Sequence, residues 1–143
     1  MKTLKIANNL VVGLIKFLNS LDLEGNKSRQ RTRFIKLLIE RAQEIEKIKK
    51  EIIEKYAKKD KDGKVIMTQM ENNQTSYEFE NDNLEEANKE LGEYLKEELI
   101  VDILEERKTE IETMKDLILN TEKKFSEADA VMYNDWCEAF EKI

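Results

Sequence analysis

The chain has no histidine, no proline, one cysteine and four glycines among its 143 residues. Each shortage closes something off. Without histidine, the commonest general base and the commonest zinc ligand are missing. A lone cysteine, Cys137, rules out an intramolecular disulfide framework and fits a reducing compartment. With no proline, and glycine only at positions 13, 25, 63 and 92, the usual helix breakers are scarce, which favours long helices. No apolar run reaches the roughly 18–20 residues that span a bilayer, so no membrane partner is expected. The opening MKTLKIANNLVVGLIKFL has the basic start and apolar stretch of a signal peptide. Asn8, Asn9 and Lys16 interrupt it and no small-residue cleavage site follows, so it reads as mature structure.

What is abundant is charge. Charged residues make up 39% of the chain, against roughly 25% in a typical globular domain, and the net charge is −6. Its distribution is uneven. Residues 1–64 hold 17 Lys and Arg against 9 Asp and Glu, whereas residues 65–143 hold 8 against 22. Two oppositely charged halves can satisfy each other or address an outside partner. Apolar residues make up 40%, enough for a core, and a chain of this length buries roughly two thirds of its unfolded surface.

Periodicity gives the elements. Thr3–Ile6 alternates like a short strand, and Asn8 is placed to cap a helix running to about Ser20. Leu10, Leu14, Phe17, Leu18 and Leu21 share one face of that helix. Ser28 is the expected N-cap of a second helix, Arg29 to about Lys58, along which Phe34, Leu38, Ile45, Ile48, Ile52 and Tyr56 recur at helical spacing. Thirty residues make a rod of about 45 Å, long enough to project or to pair with another helix. After KKDKDGK the period changes. Val65–Met70 and Ser76–Glu80 read as a hairpin, and Leu84–Lys96, Glu105–Asn120 and the segment from Ser126 to about Glu141 read as helices. Leu99–Leu104 (LIVDIL) is ambiguous, with its β-branched residues favouring a third strand. The expectation is a single α+β domain over residues 1–143: one long central helix, with shorter helices packed beside a small antiparallel sheet of about three strands.

Candidate sites are few. In GNKSRQRTRF (Gly25–Phe34) every second residue from Lys27 to Arg33 is basic. Helical geometry splits the run: Arg29 and Arg33 point away from the apolar stripe, while Arg31, like Arg41 further on, lies at its edge and can pair with carboxylates of the acidic half. Arg29, Arg31, Arg33 and Lys36 are the candidate contacts for a nucleic acid, a partner that is disfavoured because aromatics do not interleave the charges. The densest acidic region contains Glu85, Glu86, Glu90 and Glu93, a candidate partner surface able to imitate a phosphate backbone. Asp60-Lys61-Asp62-Gly63 resembles an EF-hand loop, but the alignment puts Lys58 at position one and Gln69 at position twelve, where Asp and Glu are required. Cys137, beside Trp136 on an apolar stripe, reads as buried and inert. No catalytic residue, metal site or cofactor is expected, and the chain reads as non-enzymatic.

The LKIANN opening, LDLEGNKSRQRTRFIKLLIER, KYAKKDKDGK, the acidic middle and the closing MYNDWCEAFEKI resemble, in that order, a small family of phage and prophage proteins catalogued only as a domain of unknown function. The resemblance covers nearly the whole chain. In viruses of Gram-positive bacteria, genes of that family often sit near tail and lysis genes. The resemblance implies a viral or prophage origin and residence in the host cytoplasm, and it supplies no catalytic residues. Three functions follow as expectations: an accessory protein binding a host or phage protein, an inhibitor of a host defence system (anti-CRISPR-like) using the acidic surface, or a nucleic-acid binder using the basic helix start. Self-association through the long helix stays open.

Overall fold

A computed structural model describes residues 2–143. In chain order the elements are β1 (Thr3–Ala7), α1 (Asn8–Asn19), α2 (Gly25–Tyr56), β2 (Met67–Gln69), β3 (Thr75–Tyr77), α3 (Asn83–Lys96), β4 (Glu98–Asp102), α4 (Glu105–Leu119) and α5 (Glu127–Glu141). The class is α+β as expected, with one helix of 32 residues. Among the described residues no helix is long and apolar enough to cross a membrane. The chain divides into two compact units: residues up to Gln43 together with Glu97–Ile143, and the intervening Glu44–Lys96.

In the first unit β1 and β4 pair antiparallel, with Leu4 opposite Val101 and Ile6 opposite Leu99. That register turns the apolar side of both strands inward, because side chains alternate with a period of two. Leu99–Asp102 of LIVDIL is therefore strand, but its partner is β1 and not the hairpin, so the described residues form two two-stranded sheets where one sheet of about three strands was expected. The rest of this unit's core is Leu10, Val11, Leu14, Phe17 and Leu18 of α1, Phe34, Ile35 and Leu38 of α2, Ile111, Met114 and Ile118 of α4, and Trp136 and Phe140 of α5, all buried. The Phe17 and Trp136 rings stack at 5.4 Å between centroids, and Phe125 and Tyr133 stack at 4.5 Å. Gly13 lies where α1 meets α5: a Cβ there would overlap Met132 Sδ.

The second unit is built differently. Its buried apolar residues are Ile45, Ile52, Ala57 and Ala87. Ile48, Tyr56, Tyr77, Phe79 and Leu91 are only half-buried. β2 and β3 form the expected hairpin, with Met67 opposite Tyr77. The segment just after α2 also pairs with it: Ala57 bridges to Phe79 and Lys59 to Val65, with Lys58 N–H donating to Glu78 O at 2.7 Å and Ile66 N–H to Lys58 O at 2.9 Å. These residues take the third position that the sequence reading had given to Leu99–Leu104.

Two helix starts differ from expectation. Ala7, in extended conformation, precedes α1, and Asn8 is its first helical residue. Likewise α2 begins at Gly25, ahead of Ser28. The Glu24 carboxylate accepts the Lys27 N–H at 3.3 Å, and Glu24 O accepts the Ser28 N–H at 2.9 Å. A carboxylate at this end satisfies free N–H groups and the helix dipole together, so Glu24 does the capping assigned to Ser28.

Candidate functional site

The basic start of α2 does not act as one surface. Arg29, Arg33 and Lys36 are exposed and Arg31 is half-buried. Arg31 Nη1 donates to Leu18 O at 3.0 Å and to Leu21 O, and Nη2 reaches Ser28 Oγ at 3.5 Å. Leu18 lies in the last turn of α1, where carbonyls lack helical donors and the dipole is negative. Arg31 is therefore a cap for α1 supplied from α2. The expected edge position is right, and the oxygens it meets here are backbone carbonyls where carboxylates were expected.

Arg41 makes a comparable link. Its Nε donates to Asn8 Oδ1 at 2.8 Å, and Nη2 lies 3.5 Å from Glu98 O. Asn8 is the single buried polar residue among those described, and its N–H donates to Glu97 O at 2.8 Å. Read from sequence as a cap, Asn8 is instead a buried junction between α1, α2 and the start of β4. A guanidinium on a buried amide oxygen is a strong pairing, because an unpaired buried oxygen is costly.

Arg33 acts on the charge of a carboxylate on α4. Glu110 on α4 is pushed above the ordinary carboxylate range chiefly by burial, with Arg107 and Arg33 opposing that rise. Arg29 and Lys36 face solvent.

The acidic candidates on α3 also divide. Glu85 and Glu86 occupy the first turn, where the helix dipole favours negative charge. Glu86, Glu90 and Glu93 follow one another at i, i+4 and i+7 on one face. Glu90 is half-buried and holds Lys55 of α2 at 2.9 Å. That hydrogen bond is the main cause of the raised Lys55 pKa. Glu80 holds Lys58 more loosely at 3.9 Å. These two pairs join the basic and acidic halves of the sequence, one of the two uses open to them. Glu85, Glu86 and Glu93 stay exposed, and Leu84, at the start of the same helix, is 50% exposed.

Two remaining motifs resolve into local structure. Asp60 Oδ1 accepts the N–H groups of Asp62 and Lys64 at 2.8 and 3.0 Å, and Gly63 has φ +80°. Asp60 thus folds its own turn, and Gly63 supplies the left-handed conformation that the turn requires. Among the described residues no group of three or more His, Cys, Asp or Glu is placed to hold a metal ion. Cys137 is half-buried, more open than expected. It neighbours Tyr133, whose hydroxyl donates to Ile118 O at 2.7 Å. Burial first, and then the Cys137 thiol, push the Tyr133 phenol up to about 12.

No curated protein and no solved structure matches the chain. A family model does match, over residues 2–143; it is described as a protein of unknown function, DUF1617, and the chain belongs to that family.

Proposed function

We propose that this DUF1617 member is a non-enzymatic accessory protein of a phage or prophage, working in the host cytoplasm by binding another protein. The phage setting comes from the sequence resemblance. The observation that carries the binding reading is the exposed start of α3. There Leu84 offers apolar area beside Glu85 and Glu86, with Glu93 two turns further on. An apolar centre with a charged margin is the usual anatomy of a protein interface. A basic protein surface is the complementary partner.

Affinity purification from infected host cells tests the reading. A partner retained by the wild type should be lost, by tenfold or more, in the triple variant Glu85→Lys, Glu86→Lys, Glu93→Lys. Glu90 is left intact because it holds Lys55. Undiminished retention by the triple variant would rule out the acidic surface. Mass spectrometry of purified virions distinguishes a virion component from an intracellular one.

A second reading, inhibition of a host defence system, is favoured by the same exposed carboxylates, which can occupy a nucleic-acid-binding groove. It predicts that the captured partner is a nucleic-acid-binding protein and that DNA or RNA competes for it. Direct nucleic-acid binding has less support, because Arg31 is engaged with carbonyls of its own chain. Self-association is a further proposal for α2, on which Ile39 is exposed, and light scattering tests it.

A further inference from the structure

Between α1, α5 and the loop preceding α5 lies a hollow of about 280 Å³. Phe17, Phe125, Met132 and Trp136 line it, and of these the half-buried Phe125 and Met132 hold the accessible apolar surface. Lys16, Lys123 and Lys124 also line it, against one carboxylate, Asp129. In a chain with a net charge of −6, this local excess of positive charge is a reversal. It selects an anionic ligand, and the walls select an apolar body.

The rings exclude one obvious class. A nucleotide base needs an open aromatic face on which to stack. Phe17 and Trp136 are only 3% and 4% exposed. The Phe17 ring has Lys123 Nζ over it at 5.6 Å, and Phe125 is already stacked on Tyr133. The hollow is also slightly below the roughly 300–1,000 Å³ of sites that enclose a whole small molecule. It suits a single large side chain inserted end-on. Methionine at the wall adapts to the shape of such an insert.

Three further observations point the same way. The Lys123 ammonium donates to Ser20 Oγ at 3.1 Å, a neutral partner that a carboxylate replaces with gain. Glu127, the first residue of α5, has φ +50°. A non-glycine residue there is strained, and such strain gathers at ligand clamps. Val131 and Val12, which precede Met132 and Gly13 in the sequence, are 65% and 44% exposed, so each helix also carries an exposed apolar side chain outside the hollow.

We infer that this pocket receives a large apolar side chain from an acidic segment of a partner protein, with the flanking carboxylates held by Lys16, Lys123 and Lys124. The inference rests on the reading of the chain as a protein binder and adds a second surface, of opposite charge to α3.

Trp136 is the only tryptophan, so its fluorescence reports on the pocket alone. The probe is a synthetic peptide with one phenylalanine flanked by aspartate and glutamate. It should change Trp136 emission saturably, and its affinity should fall at least about tenfold in Lys123→Glu/Lys124→Glu and on raising salt. Both substitutions are on exposed residues, and circular dichroism checks that the fold is kept. Three results would overturn the inference: no saturable change, an equal response to a peptide with lysine flanks, or preferential binding of oligothymidylate. If the peptide fails while α3-dependent capture from host cells succeeds, only the pocket falls. If capture fails too, the protein-binding reading falls with it.

Discussion

The two units reach stability by different routes. Among the described residues, the unit containing β1, β4 and the chain's flanking helices buries sixteen apolar side chains, many of them large. The Glu44–Lys96 unit buries four, two of which are alanines. It relies on half-buried aromatics, short strand pairings and ion pairs at the surface such as Lys55–Glu90. Exposed pairs of that kind are worth roughly 0–1 kcal/mol each, whereas one buried leucine or phenylalanine is worth about 1.5–3. The difference shows that high charge content is compatible with a firm core only where the apolar stripes converge from several elements. Where two helices and a hairpin share few large residues, the fold holds with less in reserve and opens more easily.

The comparison can be broken most forcefully in the first unit. Phe140→Ala removes a fully buried ring packed 6.1 Å from Phe34 and should cost about 3–5 kcal/mol. Ile52→Ala in the second unit should cost about 2 kcal/mol, at the low end of the range for such truncations. Denaturant titration of both variants measures the gap, and equal losses would erase the distinction between the units.

The arginine caps sharpen the contrast between bound and free charge. Arg31→Ala removes the charged donor from Leu18 O and Leu21 O and should cost about 1.5–3 kcal/mol. Arg29→Ala, on an exposed residue, should stay within about 0.5 kcal/mol. Thermal unfolding of the two variants side by side checks this. Equal, negligible effects would return the run to a plain solvated surface.

Tyr133→Phe removes the hydroxyl that donates to Ile118 O and should cost about 1 kcal/mol. In an ultraviolet titration, one tyrosine of four should ionise late, near pH 12, and this late step should vanish in the variant. Because the folded pKa lies above the ordinary phenol value, the contribution is complete below about pH 10 and is lost as the pH climbs toward 12.

The smallest effect belongs to Glu110. Burial raises its folded pKa, so its contribution to stability is present below the unfolded carboxylate value and lost as pH rises through the folded one. At neutral pH the charge is held at a cost, and Glu110→Gln should stabilise by up to about 0.5 kcal/mol. That gain should shrink toward zero as the pH falls below 4. Melting curves at the two pH values test the sign.

Much of this was legible in the residues. The long helix followed from the missing breakers and the Phe34–Ile52 stripe, and the hairpin from the change of period after Gly63. The edge positions of Arg31 and Arg41 followed from 100° per residue. Their partners did not, because backbone carbonyls carry no side-chain signature and every residue has one. Asn8 misled for a related reason: asparagine before an apolar run fits a cap as well as it fits a buried junction, and only the arrival of Arg41 from 33 residues away decides between them. The pairing of β4 with β1 rather than with the hairpin was hidden by sequence distance. LIVDIL states that it is a strand but not which edge it will meet. The lysine-lined hollow was equally invisible, since Lys16 and Lys123 come together only through the packing of α1 beside the loop before α5.

Native-state hydrogen exchange tests the contrast between the units most directly. The amides of α3 and of β2–β3 should exchange through openings at least about 2 kcal/mol below global unfolding, while those of α1, β1, β4 and α5 exchange only with the global transition. Uniform protection across both units, lost in one cooperative step, would contradict it.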